Sequence, residues 1–385
     1  MVPADAAMDD AGETLDASAG TDASGPADAS DLDAGVVEDA SLPSDAAEPP
    51  DAAEPPDAAE TPDAAEPPDA AEPPDAAEPP DAAEPPDASD PPDAAEPPDA
   101  GEVPDAGPPD DAGPTTPVRI MAANLTSGNY QTYDPGHGVR IMQALVPDII
   151  LMQEFNNDLN GDRSYSLAEI DALVVSVCGP TCQYTREPGS TGAVIPNGVI
   201  SKFPILTSGQ WTDPGASNRN FVWALIDLPG PRDLWAVSLH LSTNLGQRTQ
   251  GATALAALLG PNVPAGDLLV VGGDFNTDTE REACIDVLDP LLETAVMPVD
   301  NLGSIATSGN RTKPYDRVLP DDDLEVFRVP TVVGSGSYPT GFIFDTRVYT
   351  PLSEVPPVQP GDSDPNVAFQ MQHMAVLKDF HIPAQ

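Results

Sequence analysis

Residues 1–117 contain no lysine, no arginine and no aromatic residue; the first arginine is Arg119 and the first aromatic is Tyr130. The net charge of −49 divides into −34 for that segment and −15 for the other 268 residues. A stretch with neither aromatics nor bases, rich in Pro, Ala, Asp and Glu, buries too little apolar area to offset its chain entropy and is expected to be disordered. An acidic balance in both parts excludes a polybasic binder of nucleic acid or membrane surfaces. With three cysteines there is no disulfide scaffold, and no run reaches the roughly 18 apolar residues of a membrane span. Met1 is followed at once by acidic, Ala-rich sequence, so no signal-peptide core is present in this numbering. Either the numbering starts after processing, or the start is internal, or the protein is not exported.

What residues 1–117 do contain is a repeat. Positions 45–110 run as eleven hexads of the type Asp-Ala-Ala-Glu-Pro-Pro. Alanine alone gives no apolar face on which repeats could stack. The paired prolines bias the chain toward polyproline II, and like charges along it add stiffness. At ~3.1 Å per residue such a run would extend on the order of 200 Å. This low-complexity, Pro-rich segment is expected to be a stalk that holds a folded domain, residues 118–385, away from a cell envelope. An extracellular or surface-associated protein is therefore expected; the alternative is a solubilising tail with no anchor.

The domain is large enough for a sizeable core. Strands are expected at 118–125, 148–153, 198–201, 221–228, 234–241, 267–272 and 374–380, and helices at 137–146, 166–177, 246–259 and 279–292. Strands and helices so mixed suggest an α/β or α+β sandwich, with sheets inside and helices outside. Cys178 and Cys182 either close a small loop in an oxidising compartment or remain two thiols in a turn. Cys284, in a helical run, reads as a buried small hydrophobe.

Polar residues gather at the strand ends: Asn124, Glu154, His240, Asp274 with Asn276, and His373. Singly, each would be a turn residue or a satisfied core histidine. Together, carboxylates with amide oxygens make a hard, oxygen-rich site suited to Mg²⁺, Mn²⁺ or Ca²⁺. Two histidines beside it can stabilise a phosphoryl oxyanion or move protons.

The motifs Asn124-Leu-Thr-Ser, Met152-Gln-Glu-Phe, Asn197-Gly-Val-Ile-Ser-Lys-Phe-Pro-Ile, Val237-Ser-Leu-His-Leu, Gly272-Gly-Asp-Phe-Asn-Thr, Tyr315-Asp-Arg-Val and Gln372-His-Met-Ala-Val occur in that order. In this the chain resembles the endonuclease/exonuclease/phosphatase superfamily, which includes deoxyribonuclease I, exonuclease III, inositol polyphosphate 5-phosphatases and neutral sphingomyelinases. The resemblance implies a four-layer α/β/β/α sandwich that hydrolyses phosphoesters with a divalent metal, Mg²⁺ or Mn²⁺. It implies that Glu154 is the principal metal ligand, with Asn124 beside it. Asp274 and Asn276 would position the attacking water and touch the scissile phosphate, and His240 would donate to a phosphate oxygen. Asp316 would orient His373, the second histidine, and Arg219 would contact phosphate. A monomeric nuclease-like phosphodiesterase is expected, with a sphingomyelinase or inositol-phosphate phosphatase as the alternative substrate class and a degenerate surface binding protein as the other. Arg311, Lys313 and Arg317 around Asp316 are candidates for a local basic strip.

Two features sit apart from the pattern. Where the family usually has Ser-Asp-His, this chain has Met371-Gln372-His373. Gln372 offers a neutral amide oxygen in place of a carboxylate, which is expected to weaken or reshape metal binding. Asp158, Asn160, Asp162, Ser164 and Glu169 match positions 1, 3, 5, 7 and 12 of a calcium loop, although Arg163 stands where that loop wants glycine. Either Ca²⁺ binds there, or the segment is a polar loop capping the next helix.

Overall fold

Alternation along the first strand sorts the molecule into layers. In β1 (Thr115–Ala123), Val118, Ile120 and Ala122 enter one buried cluster, while Met121 and Ala123 enter another. The computed structural model describes residues 113–128, 130–188 and 195–384, so the stalk lies outside the described residues. After β1 come α1 (His137–Leu145), β2 (Ile149–Met152), α2 (Leu167–Cys178), β3 (Gln183–Arg186), β4 (Gly198–Ser201), β5 (Ile205–Trp211) and β6 (Phe221–Ile226). Next are β7 (Leu234–His240), α3 (Leu245–Asn262), β8 (Leu268–Asp274), α4 (Ala283–Leu288), β9 (Asp316–Pro320) and α5 (Asp322–Glu325). The short strands β10 (Arg328–Val329), β11 (Thr331–Val333), β12 (Gly336–Tyr338) and β13 (Phe342–Phe344) precede β14 (Ala375–Pro383).

Seven strands form the first sheet, in the order β10-β14-β1-β2-β4-β3 with β13 also on β14; five form the second, β5 to β9 in sequence order. The cluster holding Val118, Ile120 and Ala122 also takes Val222, Ala224 and Ala236, so it fills the space between the sheets. Helices α1 and α2 cover the outer face of the first sheet through Ile141, Met142, Leu145, Ile170 and Leu173. The outer face of the second is covered by α3 and α4 through Ala252, Leu255, Leu259 and Ile285. The architecture is the four-layer α/β/β/α sandwich. Among the described residues no helix is long and apolar enough to cross a membrane.

One arrangement occurs twice and decides where the chemistry lies. β1 and β2 are parallel, joined by way of α1; β7 and β8 are parallel, joined by α3. Asn124 and Glu154 follow the ends of the first pair, and His240 and Asp274 end the second. The neighbours β9 and β14 run antiparallel, so they begin where the parallel strands end, with Asp316 opposite Asp274 and His373 just before β14. Two glycines let the second sheet reach this edge. A Cβ on Gly272 would lie 2.6 Å from Leu151 of the first sheet, and one on Gly273, at φ +135°, 2.1 Å from the Leu239 carbonyl. Only glycine holds that backbone and that approach together.

Several elements differ from the sequence reading. The helix expected at 279–292 is confined to α4: the Glu282 carboxylate takes the amides of Asp278 and Thr279 in a turn, and Pro290 removes the donor that would continue the helix. The edge strand β5 was not expected, because its pattern is mostly polar and exposed. Cys178 and Cys182 are joined as a disulfide, closing the turn after α2. Cys284 is buried within the core over the second sheet.

β1 begins at Thr115, and Thr115, Thr116 and Pro117 pair with Pro383, Ile382 and His381. A chain beginning at Gly113 is therefore expected to melt within about a degree of the full-length protein, since the removed residues have no apolar side to dock. One beginning at Val118 loses three rungs of the ladder, about 1–2 kcal/mol, and several degrees of melting temperature. Calorimetry on the two truncations checks both.

Candidate active site

Asp274, 1% exposed at the end of β8, is the hub of the cluster. Its Oδ2 accepts from Asn124 Nδ2 at 3.2 Å and Asn276 Nδ2 at 3.1 Å, and lies 3.1 Å from His240 Nε2 and 3.5 Å from His373 Nε2. Its Oδ1 accepts the Asn276 backbone amide at 2.7 Å. Burial would raise this carboxyl, but the charges of His373 and His240 and the hydrogen bonds outweigh it and hold Asp274 well below the usual range. An ionised carboxylate thus sits buried, with donors gathered on Oδ2 and one on Oδ1.

His373 lies between two carboxylates, with Nδ1 3.0 Å from Asp316 Oδ2 and Nε2 toward Asp274. Burial disfavours its charged form, yet Asp316 and Asp274 together raise its pKa. Burial pushes Asp316 up, against the opposing His373 charge, and Asp274 pushes it further. The Tyr315 ring packs on His373 at 5.4 Å between centroids. Asp274, Asp316 and His373 each place an atom within 4.8 Å of the others, a closeness that follows from His373 lying between two carboxylates, hydrogen-bonded to Asp316 and 3.5 Å from Asp274.

Glu154 is buried at the other side of the site. Its Oε2 accepts the Thr126 hydroxyl at 2.6 Å, and its backbone is left-handed, φ 49°. Asn276 is left-handed too, φ 53°. Such conformations cost of order 1–3 kcal/mol and persist where surroundings over-determine them, here at two site residues. Asn124 Oδ1 is buried and, among the described residues, has no hydrogen-bond partner. A buried acceptor left alone costs about 1–3 kcal/mol. Asn124 and Glu154 follow the ends of the paired strands β1 and β2, and an amide oxygen with a carboxylate is a donor set that a hard divalent cation takes, so the residue types present fit such an ion.

Over residues 131–355 the sequence matches the profile of the Endonuclease/Exonuclease/phosphatase family. The chain belongs to that family. The match spans more than half of the chain and agrees with the four layers described above. No curated protein matches the chain in sequence. Solved structures similar to it include an endonuclease/exonuclease/phosphatase from Beutenbergia cavernae, with 14% identity over 69% of this chain and 72% of that one and a TM-score of 0.48. Others are sphingomyelinase C from Streptomyces griseocarneus (18%, 69% and 100%, TM-score 0.45) and the human nocturnin catalytic domain (16%, 69% and 94%, TM-score 0.44). The family assignment rests on the profile match, not on these likenesses. Members of the family are in general phosphoester-hydrolysing enzymes and typically use divalent metals.

Within this endonuclease/exonuclease/phosphatase domain, hydrogen bonds or ion pairs link Asn124, His240, Asp274, Asn276, Asp316 and His373 directly, and Glu154 lies buried beside Thr126. Arg219 is less free than expected: Nε and Nη2 donate to the carbonyls of His240 and Leu241, and Nη1 to Asn218. It ties down the end of β7 with most of its donors. Gln372 is exposed, and its carbonyl accepts Gly309 N at 2.6 Å. The basic strip is not on the surface as a strip. Arg317 is wholly buried, Arg311 is paired with Asp300 and Asp345, and Lys313 is paired with Asp278.

The segment 158–169 caps α2, as its second reading expects. Ser166 and Glu169 form a capping box on α2, and Glu169 also accepts from Asn160. Asp158 accepts the Arg163 amide and Asp162 that of Ser164, while Arg163 itself adopts the left-handed conformation, φ 60°. Its carboxylates thus serve the loop's own amides.

Three residues escaped the sequence reading. Thr126 fixes Glu154, and Thr307 Oγ1 accepts the Asp316 amide at 2.8 Å. Asp213 is buried with one oxygen on Gly215 N, near enough to His240 for their charges to interact; burial raises its pKa. A lone Thr or Asp in a loop carries no signal of its own.

Asp316 raises the His373 pKa, so Asp316→Asn should let that imidazole lose its proton at lower pH than in the wild type. Turnover should fall by about 10²-fold or more. Histidine-resolved NMR titration reads the first effect; an unshifted His373 would mean that Asp316 does not govern it.

Proposed function

We propose that the domain is a divalent-metal-dependent phosphodiesterase, with Asp274 and its ring of donors as the reacting centre. The observation that carries this reading is a single buried carboxylate approached by Nε2 of two histidines, beside an oxygen set that fits a hard cation. Glu154 and Asn124 would hold the ion. When bound, it would supply Lewis-acid stabilisation of charge on a phosphoryl oxygen.

The chain's own groups account for the rest. A phosphoryl oxygen entering beside Asp274 meets the Nε2 atoms of His240 and His373, groups set in place before the reaction. Asp274 Oδ1 carries only one donor, the Asn276 amide. It keeps a lone pair with which to accept a hydrogen bond from a water and align it for in-line attack. Asp316 keeps His373 protonated and oriented, so His373 can stabilise the oxyanion or protonate the leaving oxygen.

The shared sequence motifs position the phosphate and not the leaving group, so they do not separate a nuclease-like substrate from the alternatives. The surface favours the second reading, a small or lipid-borne phosphoester: a phosphodiester such as sphingomyelin, or a phosphomonoester such as an inositol phosphate. Nucleic-acid affinity is built from lysines and arginines neutralising phosphates. Here the three candidates beside Asp316 are buried or paired, and residues 118–385 carry a net −15. The Cys178–Cys182 disulfide supports placing the enzyme outside the cytosol, with the repeat segment as its spacer.

Hydrolysis of bis(p-nitrophenyl) phosphate by the full-length chain should require Mg²⁺ or Mn²⁺ and stop with chelator. Glu154→Gln should reduce it at least about 10³-fold with the melting temperature little changed, since it removes the carboxylate expected to hold the ion. Substantial Mg²⁺-dependent turnover in a folded Glu154→Gln variant would remove Glu154 from the site. Parallel assays on duplex DNA, RNA, sphingomyelin and inositol phosphates decide the substrate class.

A further inference from the structure

Asp316 opens β9 and His373 precedes β14, in different sheets and 57 residues apart. Their 3.0 Å contact needs something to hold the two sheets in register at this edge. One short segment, 307–309, does so. On one side Thr307 Oγ1 accepts the Asp316 amide at 2.8 Å. On the other, the Thr307 carbonyl accepts Met374 N at 2.7 Å, Gly309 N donates to the Gln372 carbonyl at 2.6 Å, and Ser308 bridges His373 as an isolated antiparallel pair. The segment therefore grips the residues on both sides of His373 and the backbone of Asp316 at once.

The segment belongs to no helix or strand, lying in the irregular stretch between α4 and β9. Its own turn is closed by Ser308 Oγ, which accepts the amides of Thr312 and Lys313. A group of four charges adds side-chain fastening to these backbone bonds. Arg347 Nη1 donates to the Gly309 carbonyl at 2.6 Å, and its Nε and Nη2 fork onto Asp345 at 2.8 and 2.7 Å. Arg311, inside the turn, donates to both Asp345 and Asp300. Both carboxylates are almost wholly buried. Asp300 in turn holds the amides of Leu302 and Ser304.

Two acids and two guanidiniums cancel in charge. Buried ion pairs add little net stability over apolar residues, because desolvation offsets the attraction, but they impose geometry. A bidentate Arg–carboxylate fork fixes direction as well as distance. Backbone bonds of Thr307 and Ser308 to the Lys313 carbonyl, and of Phe275 to that of Tyr315, also order the stretch, but they fix no side-chain direction as the fork does.

We infer that Arg347 and Arg311, through Asp345 and Asp300, are positioning residues for the Asp316–His373 dyad. Arg347 acts by holding Gly309 and with it the backbone around His373; Arg311 acts by holding the turn from within. Neither touches substrate. The inference rests on the phosphodiesterase reading for its kinetic arm only, because the dyad can be observed without turnover.

The test is Arg347→Lys in the full-length protein, which keeps the charge and loses the fork. With bis(p-nitrophenyl) phosphate and Mg²⁺, kcat should fall tenfold or more while KM stays within about twofold. The downfield proton resonance of His373 Nδ1–H, hydrogen-bonded to Asp316, should broaden or disappear. Arg281→Lys, in a surface ion pair with Asp289, should change neither. An unchanged kcat with the resonance intact overturns the inference. So does a loss of kcat that merely follows the folded fraction while the resonance persists. Should Arg347→Lys not fold, Arg311→Lys, which retains the Arg347–Gly309 bond, is read in the same two ways. If the wild type shows no hydrolysis, the phosphodiesterase reading fails, and the resonance alone still decides whether the clamp orders the dyad.

Discussion

The structure depends on keeping one carboxylate ionised where there is almost no water. Asp274 would protonate in such a setting if it were alone. It stays charged because two imidazoles, two side-chain amides and one backbone amide converge on it, from His240, His373, Asn124 and, for two of them, Asn276. The requirement propagates outward. Asn124 must follow β1, His240 must end β7, Asn276 must turn left-handed just after β8, and His373 must stand just before the strand that runs back along β1.

The sandwich meets that requirement with a repeated device. Each sheet contains a parallel pair, and parallel strands deliver their last residues to the same edge. Their antiparallel neighbours begin at that edge, so Asp316 and the residue before β14 are brought there without any long-range steering. Gly272 and Gly273 are the local condition for closeness between the sheets and between β7 and β8. A side chain at either position would separate what the carboxylate needs together.

Much of this was legible in the sequence, for a physical reason. β1, β2, β7 and β8 are buried on both faces, so they read as apolar runs, and a polar residue at the end of each stands out against them. β5 was not legible because an edge strand alternates with exposed polar residues and looks like a loop. Nor was the short extent of α4, where Glu282 spends its carboxylate on a turn that the helical pattern conceals. Thr126, Thr307 and Asp213 were invisible because their partners are distant in sequence or are backbone atoms. Composition also misled in one respect: Arg311, Lys313 and Arg317 are neighbours along the chain and look like a basic strip, yet burial and ion pairing consume them. That loss of free positive charge is what turns the substrate reading away from nucleic acids.

The central claim is that Glu154 and Asn124 hold a divalent cation next to Asp274. It is tested most directly by anomalous diffraction from crystals of the domain grown with Mn²⁺. The account predicts an anomalous peak at ligating distance from a Glu154 carboxylate oxygen and from Asn124 Oδ1, with His373 still between Asp316 and Asp274. A peak among Asp274, Asp316 and His373 instead, with His373 turned to ligate it, would contradict the account, as would no peak beside Glu154 at saturating Mn²⁺.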